Sequence, residues 1–102
     1  MANYQLSIVT TQGEAFNGQV ESLVAPGKLG SFGILCDHAP LIASLCRGSL
    51  TVTQDGIKKY FAISSGILEV NEQSNVLLLV DSARKVETID EAKNEETIDA
   101  GK

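Results

Sequence analysis

The chain has 102 residues, 43% hydrophobic and 21% charged, with a net charge of −5. That length suits one domain, and the composition suits a packed core; no apolar run approaches the roughly 20 residues that span a bilayer. Acidity with only two adjacent basic pairs, Lys58-Lys59 and Arg84-Lys85, argues against a nucleic-acid binder, which needs clustered cations for the phosphate backbone.

The charge is unevenly placed. Residues 87–102 hold Glu87, Asp90, Glu91, Glu95, Glu96 and Asp99 against Lys93 and Lys102, a net −4. The preceding body is therefore close to neutral. No basic start or long apolar stretch opens MANYQLSIVTTQ, so no signal peptide is expected, and Cys36 and Cys46 are expected as free thiols in a reducing compartment.

Up to about residue 81 the pattern is period-two alternation, the signature of strands. Tyr4, Leu6 and Ile8 oppose Gln5 and Ser7, and Phe16, Val20 and Val24 oppose Asn17, Gln19 and Glu21. Pro26 and the glycines of APGKLGSFGIL (25–35) predict a tight turn leading into a short strand around Phe32 and Ile34. Leu41–Leu45 follows as a strand, then Leu50 and Val52 among Ser49, Thr51 and Thr53. Asp55-Gly56 predicts a type I′ hairpin turn into Ile57–Ser65. Gly66 predicts a bulge or bend before Ile67–Val70, and Asn71–Asn75 turns the chain again.

The run VLLLV (76–80) is apolar at every position. Either it is a central strand packed on each side, or a partner or the tail covers Leu77 and Leu79. Residues 87–100 lack glycine, proline and aromatics and favour a helix, with Thr88 or Asp90 as N-cap. Its apolar residues do not share one face, so it is expected to fray unless docked. About eight short strands with turns every 8–12 residues predict a β-sandwich or barrel.

Candidate chemistry is sparse. Cys36, His38 and Cys46 fall within eleven residues, which raises a zinc site or a thiol nucleophile. A structural zinc site draws four ligands, and a Cys-His pair needs an orienting group and an oxyanion hole. We expect a loop histidine held by Pro40 and two small cysteines instead. Gly27, Gly30 and Gly33 precede strand-like sequence, not a helix N-terminus, so they do not form a phosphate cradle. Glu69/Glu72 and Glu95/Glu96 read as solvated pairs rather than an acid/base pair. The residues alone support a small β module that acts by binding, without catalytic residues, metal or cofactor.

Three blocks are more specific: Phe16-x-Gly18-x-Val20, the run from Gly30 to Leu41 of the form G-x-F-G-I-L-x-x-H-A-P-L, and Ser65-Gly66-Ile67-Leu68-Glu69-Val70. With them the chain resembles, without an evident gap from Tyr4 to Val86, the epsilon-subunit family of bacterial F-type ATP synthases. The resemblance implies a mainly-β fold: a flattened sandwich of about ten short strands in two sheets over residues 1–86, followed by a short tail of helical composition over 87–102. It implies a non-catalytic rotor subunit on the cytoplasmic face of the bacterial plasma membrane, coupling ion-driven c-ring rotation to the gamma subunit and ATP synthesis. Carried over by position, the c-ring polar loops would meet Lys28, Leu29 and Ser31. The gamma subunit would meet Thr10, His38, Leu41, Ile42 and Ala43. No direct membrane insertion is implied. The alternative is a free-standing cytosolic β-sandwich adaptor or ligand-binding module.

This chain departs from the family in three places. Cys36-Asp37 stands where Pro-Gly is usual, and Ser31 stands at a commonly acidic or polar position. The family's C-terminal helical hairpin needs about 35 residues or more, against 16 after Val86. Its ATP-binding motif, I/L-D-x-x-R-A, is matched by Ile89-Asp90-Glu91-Ala92-Lys93-Asn94. Lysine does not reproduce arginine's bidentate fork, so neither ATP binding nor hairpin-type inhibition is expected.

Overall fold

A computed structural model describes residues 2–87, and these form ten strands. In chain order they are β1 Tyr4–Thr10, β2 Gly13–Val20, β3 Ser22–Gly27, β4 Gly30–Leu35, β5 Leu41–Leu45, β6 Gly48–Gln54, β7 Ile57–Ile63, β8 Gly66–Val70, β9 Val76–Val80 and β10 Ala83–Val86. The helix expected over 87–100, the proposed tail cover and the ATP-motif positions lie outside the described residues.

The two sheets expected from the sequence are halves of one hydrogen-bonded path. Its order is β10-β7-β6-β3-β5-β8-β9-β1-β2, with β4 paired to β3. The joint is β3. Ser22–Val24 pair with Thr53–Thr51 of β6, whereas its far end meets β5 only at Gly27↔Leu45. With β3 and β4 counted beside β10, β7 and β6, five strands lie on each side of the β3–β5 rung, and the path folds there so that the halves face each other. The β1–β9 pairing is parallel, Leu6↔Val76 to Val9↔Leu79, in a set of otherwise antiparallel pairs.

The faces follow the alternation, with one change of phase. Tyr4, Leu6, Ile8 and Val20 enter the core from even positions, but β3 sends in Leu23 and Ala25. Val24, read from the sequence as part of the same inward face, is 45% exposed. The phase changes at Glu21, between β2 and β3, where the chain passes from one half to the other. There the Glu21 N–H donates to the Thr53 carbonyl at 2.8 Å, and Gln54 Nε2 donates to the Gln19 carbonyl at 2.9 Å. Phe16 and Phe61 meet edge-on at 6.0 Å near the same corner. A sequence pattern read as one strand is therefore two strands on different halves, joined at a corner.

The turns carry the expected chemistry. Asp55 and Gly56 both have positive φ, 54° and 76°, as a type I′ turn requires. The turn in 25–35 is narrower than expected: Ala25, Pro26 and Gly27 belong to β3, and Lys28-Leu29 alone form the tip, with Gly30 at φ 122°.

The bend expected before Ile67 falls at Ser65, and Gly66 itself is not a bulge. It pairs in register with Val80 and Leu45. Its lack of a side chain is needed for close approach, because a Cβ there would stand 2.1 Å from the Leu79 carbonyl oxygen. The irregularity falls instead in β2, where the β1–β2 register shifts between Ile8 and Val9.

One polar bond spans the core. The Tyr4 hydroxyl donates to the Ile34 carbonyl at 2.7 Å, tying β1 to β4 across the two halves. Burial, reinforced by neighbouring Cys36, pushes this phenol well above its usual ionisation range. The folded state thus holds Tyr4 neutral while the unfolded chain releases its proton near pH 10. Its contribution to stability is fully present below that pH and is lost as pH rises through the raised folded value.

Two outcomes are expected. Gly66→Ala should lower the unfolding free energy by about 2–3 kcal/mol in urea titration, since the obstacle is backbone. Tyr4→Phe should cost about 1–2 kcal/mol at neutral pH by leaving the Ile34 carbonyl unpaired. Above about pH 10 it should also remove up to ~1.4 kcal/mol per pH unit of alkaline destabilisation, read from urea midpoints between pH 8 and pH 11.

Candidate binding surfaces

The β3–β4 hairpin and β5 part company beyond the single rung at Gly27↔Leu45 and leave a groove of about 790 Å³ between them. Gly27 is buried at its inner end, where Phe32 lies so close that a Cβ on Gly27 would stand 2.7 Å from the ring. The hairpin wall includes Lys28, Leu29, Ser31 and Phe32; the opposite wall includes His38, Leu41, Ile42 and Ala43. Two residue sets expected to serve different partners therefore face one another across a single groove. Lys28, Leu29 and Ser31 are exposed, Leu29 fully, as befits a hairpin tip.

Thr10 stands apart from this groove. It ends β1, three strands away from β5 in the path. Its Oγ1 receives the Gln12 N–H at 3.1 Å and donates to the Gly13 carbonyl at 3.0 Å, so it shapes the β1–β2 turn.

What lies between Thr10 and the groove is an apolar face. Cross-strand register lines up Ser44, Ile67, Leu79 and Val9 across β5, β8, β9 and β1, with Ile42, Glu69, Leu77 and Ser7 in the next row. Ile42 is 74% exposed, Ile67 47% and Leu79 48%. The VLLLV strand is thus central in its sheet but packed on one face only: Val76, Leu78 and Val80 are buried, whereas Leu77 and Leu79 turn outward. Its unbroken hydrophobicity marks a core on one side and an apolar outer face on the other. Ile67 was not singled out from the sequence, because a β-branched residue in a strand reads equally well as core; only the register reveals its neighbours.

The thiols and the histidine do not converge. Cys36 Sγ lies 3.5 Å from the Asn3 carbonyl oxygen, Cys46 Sγ 3.4 Å from that of Pro26, and the His38 Nδ1 donates to the Ala39 carbonyl at 2.7 Å. Among the described residues no three His, Cys, Asp or Glu side chains form a cluster able to hold a metal. The His38 carbonyl also receives the Ser74 hydroxyl at 3.3 Å, anchoring the β4–β5 connection to the β8–β9 turn. Within that connection Asp37 has φ 64°, the left-handed conformation that glycine adopts freely.

Against known proteins, residues 3–86 match the family model described as the ATP synthase delta/epsilon chain, beta-sandwich domain. The chain belongs to this family. It is 36% identical over 89 residues to an ATP synthase epsilon chain of Nitrobacter winogradskyi, covering 87% of this chain and 65% of that one. To an ATP synthase epsilon chain of Xylella fastidiosa it is 43% identical over 90 residues, covering 87% and 64%. The chain thus spans a little under two-thirds of the length of these relatives. Among solved structures, a chain of the Euglena gracilis mitochondrial ATP synthase (OSCP/F1/c-ring) superposes with a TM-score of 0.81 at 24% identity, covering 98% of this chain and 64% of that one. A chain of the Tetrahymena thermophila mitochondrial ATP synthase central stalk/c-ring gives 0.72 at 11% identity, covering 98% and 91%. At these identities the two superpositions establish the shared fold.

Asp37→Gly should raise the unfolding free energy by about 0.5–1 kcal/mol. Relief of the left-handed penalty outweighs the added freedom of the unfolded chain, and thermal and urea unfolding will measure the difference.

Proposed function

We propose that this chain is a non-catalytic rotor subunit of an F-type ATP synthase, held between the gamma subunit and the polar loops of the c-ring. The reading rests on family membership and is carried by one observation on the surface. The outward apolar row Ile67–Leu79–Val9 is continuous with Ile42 at the groove and runs toward Thr10 at the other end of the expected gamma contact.

An apolar face of this kind is the property of a surface that is covered in an assembly. Gamma occupies it, with Ile42, Ile67 and Leu79 as anchors and Leu41, Ala43 and His38 along its groove-side border. The c-ring loops meet the Lys28-Leu29 tip and Ser31, where one cation and the fully exposed Leu29 side chain are offered.

The mechanics suit a transmission part. A close-packed sandwich deforms little, and the Tyr4 hydrogen bond and the interleaved core of both halves resist shear between them. Torque delivered at the hairpin tip therefore reaches the gamma face without being absorbed. In this reading the chain does no chemistry, needs no cofactor and binds no ATP. It sits as a peripheral part of the complex on the cytoplasmic face of the bacterial plasma membrane. No helix among the described residues is long and apolar enough to cross a membrane.

The test is assembly. The chain should co-purify with gamma and the c-ring. Leu79→Asp, which places a charge on the outer face without entering the core, should weaken gamma binding by about tenfold or more while changing the unfolding free energy by no more than about 1 kcal/mol. A chain that never joins the complex, or a Leu79→Asp variant that binds gamma as well as the parent, would overturn the reading.

A further inference from the structure

β5 is half-used as a strand. One edge pairs with β8 along its whole length, Leu41↔Val70 to Leu45↔Gly66. The other edge touches β3 at Gly27↔Leu45 alone, flanked by the Lys28 N–H donating to the Ser44 carbonyl at 3.2 Å and the Cys46 N–H donating to the Pro26 carbonyl at 2.9 Å. Successive residues of a strand direct their backbone groups to opposite edges. Ser44 and Cys46 address the β3 side, so Ile42 addresses it too. The Ile42 N–H and C=O and the Ser44 N–H therefore point into the groove, with no ladder partner there among the described residues.

An unpaired edge beside an open groove is a template for another strand. We propose that this edge of β5 takes an extended segment of the stalk partner as an added strand, extending the sheet across the gap that the hairpin leaves. This deepens the rotor reading above and rests on it. The added strand accepts from the Ile42 and Ser44 amides and donates to the Ile42 carbonyl.

The lining specifies its side chains. One face of the groove is apolar, with Phe32 and Leu41, and Lys28 and His38 are the only ionisable side chains in the lining. A segment alternating apolar with polar residues, free of proline opposite Ile42 and carrying a carboxylate within reach of Lys28, satisfies backbone, packing and charge together. The bond count is small, so strand addition sets register and orientation, while the apolar outer face of β8 and β9 supplies the larger buried area.

Backbone amide exchange tests this in the complex with purified gamma. The Ile42 and Ser44 amides should exchange rapidly in the free chain and at least about tenfold more slowly in the complex. Measured against Ile42→Ala, which loses the same anchor side chain but keeps the amide, Ile42→Pro deletes a groove-facing donor, a substitution tolerated where the N–H faces away from the ladder. It should weaken gamma binding by up to about tenfold, the value of one or two hydrogen bonds. Ile42→Val, which keeps the amide, should change binding by less than about threefold. If the complex forms and both amides exchange as in the free chain, strand addition is wrong and the rotor reading stands. If the wild-type chain forms no complex with gamma, both fall. Should Ile42→Pro fail to fold, the amide measurement on the wild type decides alone.

Discussion

The architecture depends on the way β3 divides its pairing. Three residues, Ser22 to Val24, bond to β6, and one rung at Gly27 reaches β5. A strand shared this way bends the sheet path and turns nine consecutive ladder partners and the branching β4 into two facing halves. The rung is possible because Gly27 has no side chain: Phe32 fills the space a Cβ would need. The same economy of contact frees the β3–β4 hairpin to stand away from β5, so the joint that makes the sandwich also makes the groove. Fold and candidate site share one cause.

A second consequence concerns where apolar surface goes. A sandwich needs one inward face per strand, and the phase of β8 and β9 satisfies that need with Leu68, Val70, Val76, Leu78 and Val80. Ile67, Leu77 and Leu79 are surplus to the core. Exposed leucine and isoleucine in adjoining register positions carry a solvation cost unless something covers them, and in the proposed rotor reading that cover is a neighbour. The near-neutral charge of the body agrees with this, since a surface packed between partners gains little from a strong field of one sign.

Much of the fold was legible in the residues. Alternation located the strands, Asp55-Gly56 dictated its turn because both positions require positive φ, and the block from Gly30 to Leu41 carried enough specific residues to identify the family. The hairpin tip was legible as well: Lys28 and Leu29 lie between glycines with nothing to bury them. The readings that failed did so for local reasons. Val24 was assigned inward because period two was continued through Glu21, whereas a strand that crosses between halves must change phase. Gly66 was read as a bulge or bend; the bend falls at Ser65, and the glycine itself accommodates a neighbouring carbonyl that lies thirteen residues away in sequence.

Sequence by itself determined that this is an all-β module with turn chemistry at fixed places, a family membership, and an apolar strand with more hydrophobicity than one core face can use. Tertiary structure decided which side chains stand together. Lys28 and His38 share a groove, Ile67 stands beside Leu79, and Thr10 stands apart from the other expected gamma contacts, because strand order and a parallel β1–β9 pairing arise from packing between distant segments. Periodicity reports which way a side chain points relative to its own strand. It carries no information about which strand lies alongside, and a binding surface is built from that adjacency.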